Sequence, residues 1–335
     1  MRTNAILSIF SMAIILFAFS SCDKEQLPAG RTGRHLTIDA TVAVPQTKTA
    51  YVYDSEGGTM AVSWNEDETI SVISFNETGI TAIDNFTSSG EAGRVKADFS
   101  GTWTGNPGDR VICLYPALST TAGSRLFGTV TVGDTSIPLN NLPNSLGTLV
   151  KETPSSLANA DVMVGDVVIS EGTASVDLVR QICVFRLTVT CATTAWEPDY
   201  YERVSTVKIS VDNGGTPVVV ATAGALAVTE DTYTGSFVPT AYGTVKYTLN
   251  DFYNSDLTTR NGQTPTEVFY APIFFDGDLE VGYKVNFLYG GRSREGWGAS
   301  WENVETFGGG CQQHASVTEK RTLEKGKIYC FSMTI

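Results

Sequence analysis

The chain has 335 residues, 42% hydrophobic and 18% charged, with a formal net charge of -13. So much apolar content with so little charge excludes a disordered chain, and the length suggests about two domains at ~150 residues each. The acidity repels phosphate backbones and no Lys/Arg-rich stripe offsets it, which excludes nucleic-acid binding; two histidines, His35 and His314, leave little for histidine-based catalysis.

Met1-Arg2 gives a positive start, and Ala5 to Phe19 is a mostly apolar run. It is shorter than the ~20 residues of a membrane-spanning helix, so residues 1–21 read as a secretory signal. Ala18-Phe19-Ser20-Ser21-Cys22 resembles the lipobox of bacterial lipoproteins, which implies that Cys22 is acylated and becomes the first mature residue. Phe19 departs from that pattern, where a smaller aliphatic residue is usual. Residues 22–34, with Asp23-Lys24-Glu25, Pro28, Gly30, Arg31, Gly33 and Arg34, read as a flexible tether. Two or three acyl chains on one cysteine anchor a protein firmly, since one chain alone is marginal.

Beyond the tether almost every segment reads as strand. His35 to Val44 alternates Leu36, Ile38, Ala40, Val42 and Val44 against Thr37, Asp39 and Thr41. Thr69 to Phe75 follows, then Val176 to Cys191 as one long run, then Val204–Val211, Val218–Ala221, Val245–Leu249, Val268–Phe275, Tyr283–Tyr289 and Ile328–Ile335. These runs are rich in Val, Ile, Thr, Tyr and Phe, and the turns Asn213-Gly214-Gly215 and Asp276-Gly277-Asp278 bound two of them. No apolar pattern of helical period exceeds two turns. The class is all-β, built from sandwiches.

Pro138 to Ala160 and Gly290 to Ala315 are weak in strand signal and read as long connections, which in compact domains tend to be functional. The second holds Trp297, Trp301 and Phe307 among its glycines. A turn at Ser170-Glu171-Gly172-Thr173 sets the domain boundary, giving residues 35–171 and 172–335, each large enough for its own core.

Five cysteines follow Cys22: Cys113, Cys183, Cys191, Cys311 and Cys330. Cys183 and Cys191 in one extended run lie about 26 Å apart, far beyond disulfide reach. The cysteines read as small core residues rather than a disulfide framework.

The order of these features is similar to the fimbrillin superfamily, the Bacteroidetes lipoproteins that form type V pili and their fimbrillin-like relatives. The likeness runs through Thr47-Lys48-Thr49, Val62-Ser63-Trp64-Asn65-Glu66-Asp67-Glu68-Thr69-Ile70, Phe99-Ser100-Gly101 and Leu114-Tyr115-Pro116-Ala117. It continues through Val176-Asp177-Leu178-Val179-Arg180-Gln181-Ile182 and Leu323-Glu324-Lys325-Gly326-Lys327-Ile328. Residues by themselves suggest a hydrophobic lid at Trp64, a tight reversal at Gly101, a strand end at Tyr115-Pro116 and a turn at Lys325-Gly326-Lys327.

The resemblance implies two transthyretin-like β-sandwich domains in tandem, an outer-membrane and cell-surface location, and assembly with other pilus subunits by strand donation. A protease cuts behind the first strand, and a neighbour's strand fills the groove. Lys48 is the candidate cut site, although arginine is usual there; a cut at Arg34 would only trim the tether. The strand Leu36, Ile38, Ala40, Val42, Val44 would contribute roughly 5–10 kcal/mol of burial. It is expected at a sheet edge; a position between two neighbours would contradict a removable plug. The family's donor strand is C-terminal, and Ile328–Ile335 reads as a core strand with no extension, which favours a tip or accessory subunit over a stalk repeat.

The alternative is a monomeric surface glycan-binding lipoprotein using Trp297, Trp301 and Phe307 as a platform; an adhesive tip facing a host or microbial ligand combines both. No G-x-S-x-G, H-E-x-x-H, phosphate loop or C-x-x-C is present, so neither an enzyme nor a cofactor is expected. Cys311 and His314 lack a second ligand pair. Asp276/Asp278 and Glu66/Asp67/Glu68 read as turn residues rather than a glycosidase pair.

Overall fold

The computed structural model describes residues 33–42, 52–54, 59–61, 64, 66–89, 96–118, 126–140, 150–151, 161–170, 173–190, 200–248, 266–295, 302–304 and 312–334. Every regular element among them is a strand, as the period-two patterning predicts.

The first assembly is a closed barrel. Its order is β1 (Arg34–Val42), β11 (Thr173–Arg180), β10 (Met163–Ser170), β7 (Arg110–Tyr115), β4 (Thr69–Asn76), β5 (Gly79–Ser88) and β6 (Lys96–Trp103). Closure between β5 and β6 rests on two residue pairs, Thr87↔Ser100 and Ser88↔Phe99. The expected sandwich is thus sealed into a ring.

Strand β4 explains how the barrel carries a second core. It is buried on both faces. Ile70 and Val72 join the barrel's interior cluster, while Ile73 and Phe75 join an outer one with Ile112, Leu226, Phe237 and Phe274. Its two serines are satisfied rather than exposed: Ser71 Oγ donates to Asn85 Oδ1 at 2.8 Å, and Ser74 Oγ accepts from Trp103 Nε1 at 2.9 Å.

Three further sheets hold most of the remaining strands. One has the order β16 (Val238–Tyr242), β15 (Ala221–Ala227), β8 (Ser136–Asn140). A second runs β22 (Ile328–Thr334), β12 (Ile182–Thr190), β18 (Thr266–Phe274), β9 (Val150–Lys151). The third runs β14 (Thr216–Val218), β13 (Tyr200–Asn213), β19 (Lys284–Glu295), β20 (Glu302–Val304), with β17 (Val245–Thr248) on β13 and β21 (Gln312–Ser316) on β19. A small hairpin joins β2 (Val52–Asp54) to β3 (Thr59–Ala61). Phe185, Phe269, Phe287 and Tyr247 form the core of the second and third sheets.

Three expectations need correction. The run Val176–Cys191 is two strands, because Gln181 interrupts it: its N–H donates to Val162 O, and its Nε2 donates to Val179 O. Hence β11 stays with the barrel, and pairing switches to the second sheet at β12. Strands β10 and β11, which flank the expected boundary at 171/172, pair with each other in the barrel. The stretch 138–160 contributes β8 and β9, and 290–315 contributes the end of β19, β20 and β21. Pro138 is tolerated because β8 lies at the end of its sheet's strand order, where a missing N–H costs little.

Candidate functional site: the slot of the first strand

Alternation in residues 36–40 sets the geometry of β1. Leu36, Ile38 and Ala40 point into the barrel and are 5%, 0% and 0% exposed, while His35 and Thr37 face solvent. Ile38 lies opposite Phe99, and Ala40 opposite Ala97 and Val176. Trp64 packs edge-on against Phe99 at 5.0 Å and against Tyr115 at 5.4 Å. It is 1% exposed and belongs to the barrel's interior cluster, so it is a core residue rather than a lid at the edge. Val42 belongs to the strand; Val44 lies outside the described residues.

The strand has two neighbours. It pairs antiparallel with β6 from Arg34↔Trp103 to Thr41↔Lys96, and parallel with β11 from Ile38↔Ala174 to Val42↔Leu178. The edge-strand expectation is therefore corrected: β1 lies between two neighbours, which contradicts a plug that simply comes out. Two ladders hold Ile38–Thr41, the β11 ladder alone continues to Val42, and among the described residues only the β6 ladder holds Arg34–Thr37. A groove of about 320 Å³ opens there, lined by Arg34–Thr37 with Asp39, Asp98 and Ala174. Arg34 is the first residue of the strand rather than the last of a tether.

Gly101 is also reassigned. It sits inside β6 opposite Leu36, and a Cβ there would stand 2.6 Å from Phe86 Cδ1. Its role is to make room for a buried ring, not to reverse the chain. The turn at Lys325-Gly326-Lys327 and the strand end at Tyr115-Pro116 stand as expected, with Gly326 at φ 78°.

Beyond β11 lies a buried polar hub that the apolar patterning missed. Arg180 Nε donates to Asp161 Oδ1 at 2.8 Å and its Nη2 to Oδ2 at 2.7 Å, with side chains 7% and 2% exposed. Gln181 Oε1 accepts from the Phe237 N–H at 3.2 Å and from Lys325 Nζ at 2.9 Å. Burial holds the Lys325 ammonium below its ordinary pKa. The adjacent polar pair Arg180-Gln181 inside an apolar run was the sequence signal for this hub.

The other predicted sites divide plainly. Cys22, Lys48, Trp297, Trp301, Phe307, Cys191 and Cys311 lie outside the described residues. Cys113 and Cys183 are buried free thiols, whereas Cys330 is exposed, so the core reading holds for two of these three. Asp276 accepts from the Tyr242 hydroxyl at 2.9 Å, and Asp278 is paired with Lys320 at 2.7 Å, which lowers its pKa. These carboxylates are turn residues engaged with their own neighbours. Among the described residues no group of three or more His, Cys, Asp or Glu is placed to hold a metal.

No family model matches the chain, and no curated protein does. Solved structures do. A fimbrial protein from Bacteroides vulgatus is 11% identical, with 90% of this chain and 95% of that one covered and a TM-score of 0.42. The solved structures that it is similar to include Bacteroides fimbrial and candidate cell adhesion proteins. Candidate cell adhesion proteins from Bacteroides uniformis and Bacteroides ovatus are 12% and 13% identical, each with a TM-score of 0.42. They cover 90% and 91% of this chain, and 92% and 93% of their own.

Proposed function

We propose that the chain is exported as a lipoprotein through Cys22 and serves as a structural or adhesive subunit of a surface fimbria. In this reading β1 is exchanged for a strand of a neighbouring subunit after cleavage at Lys48. One observation carries it: the first described strand fills a slot one strand wide in an otherwise complete barrel, with its apolar face seated in the core. No described strand of the barrel precedes β1, so withdrawing it requires no unthreading.

The second ladder changes how exchange must proceed. Losing β1 outright would strip both β6 and β11 of hydrogen-bond partners and open the apolar interior, an unfavourable state. A cut therefore severs the covalent link without emptying the slot, and a competing strand restores each bond as β1 gives it up.

A tip or accessory position suits the chain better than a stalk repeat. Strand β22 pairs in continuous register with β12 from Val184 to Thr190, and Phe331 packs 4.8 Å from Phe185 and 5.2 Å from Phe287. That strand is committed to its own core. Limited trypsin treatment of the full chain in the presence of partner subunits tests the reading: complexes in which this chain begins at Thr49 are expected. Cleaved protein that stays monomeric in the presence of partner subunits refutes it.

A further inference from the structure

The resident strand carries a mismatch at one position. Asp39 of β1 lies directly opposite Asp98 of β6, with Ser175 of β11 on its other side. Like charges directly opposite in an antiparallel ladder are unfavourable. Asp177 stands one diagonal step away, opposite Thr41. Among the described residues the one compensating contact is Lys96 Nζ to Asp39 Oδ2 at 3.5 Å, between side chains 66% and 45% exposed, and such pairs contribute little. Asp39 Oδ1 is buried and accepts no hydrogen bond. Position 39 thus has Asp98 opposite, Asp177 on the diagonal and one weak ammonium contact, with Arg34 and His35 lining the same groove, and an acid there is poorly served. The groove of about 320 Å³ shares Asp39 and Asp98 in its wall, which leaves space for a longer side chain.

We propose that Asp98 is a selectivity residue of the slot. It favours an incoming strand of a neighbouring subunit that carries Lys or Arg where β1 carries Asp39. The device works at the level of exchange: the outgoing strand is weakened at one outward position while its inward residues keep the barrel filled. This inference rests on the strand-exchange reading above.

The test uses the full chain with a specific protease site placed within residues 43–51, nicked while folded. Synthetic peptides of residues 34–44, with Asp39 retained or with Asp39→Asn or Asp39→Lys, compete for the slot against labelled resident strand. The Lys peptide should bind about three- to tenfold tighter than the Asp peptide at low ionic strength, with Asn between them. The difference should shrink in high salt and fall in an Asp98→Asn chain. Equal affinities for the three peptides, or a preference unchanged by Asp98→Asn, would overturn the selectivity role. If no peptide enters a chain that remains folded by circular dichroism, the exchange reading itself fails and this inference with it. In the intact chain, Asp39→Asn and Asp98→Asn should each stabilise against urea, and together by less than their sum. Strict additivity would count against a direct repulsion.

Discussion

Gly101 shows how one missing side chain shapes the slot. Phe86 occupies the space where a Cβ would project, at 2.6 Å, and Leu36 lies across the ladder from the same residue. Gly101→Ala should therefore cost about 1–3 kcal/mol through forced displacement of a packed ring, read as a lower urea midpoint with an unchanged m-value. The thiols give a second check at this scale. Burial raises the pKa of Cys113 and Cys183 well above the ordinary thiol value, while Cys330 is exposed. Since the thiolate is the reactive form, brief iodoacetamide treatment of native protein should label Cys330 and spare the other two until denaturant is added. The alternation Leu36, Ile38, Ala40 was legible from sequence because burial follows strand period. Asp98 facing Asp39 was not, since cross-strand neighbours depend on register between segments nearly sixty residues apart.

At the scale of elements, two features decide behaviour. Strand β1 is held on both sides over Ile38–Thr41, so a chain nicked within residues 43–51 should retain its 34–42 segment through gel filtration. Release should require mild denaturant or an excess of competing strand; loss on cutting alone would show the two ladders to be weaker than their register implies. The other feature is the switch from β11 to β12, where the chain leaves the barrel. Asp161→Ala strands a buried guanidinium at that switch and should destabilise by about 3–5 kcal/mol, measurable by chemical unfolding. Sequence patterning located β1, β4, β13, β17, β18 and β22 to within a few residues and gave no bounds for β5, β6, β7 or β10. It failed at the switch because an uninterrupted apolar alternation on both sides of Gln181 looks like one strand, and only long-range pairing assigns its halves to different sheets. It also missed β8 and β9, where proline and short length hid strands that exist through their partners β15 and β18.

Across the whole molecule, the outer face of β4 and β7 shares a cluster with Leu226, Phe237 and Phe274, so the barrel and the later strands are joined through an apolar core. The all-β class follows from composition and period alone, whereas closure of the barrel around β1 depends on pairings no local pattern records. Under the proposed strand exchange, that closure requires replacement of β1 rather than its simple loss. The mass and N-terminal sequence of the form displayed on the cell surface bear on this most directly. A surface chain beginning at Thr49 and lacking residues 34–42 is the predicted result. A surface form that begins at Cys22 and still carries β1 would contradict it.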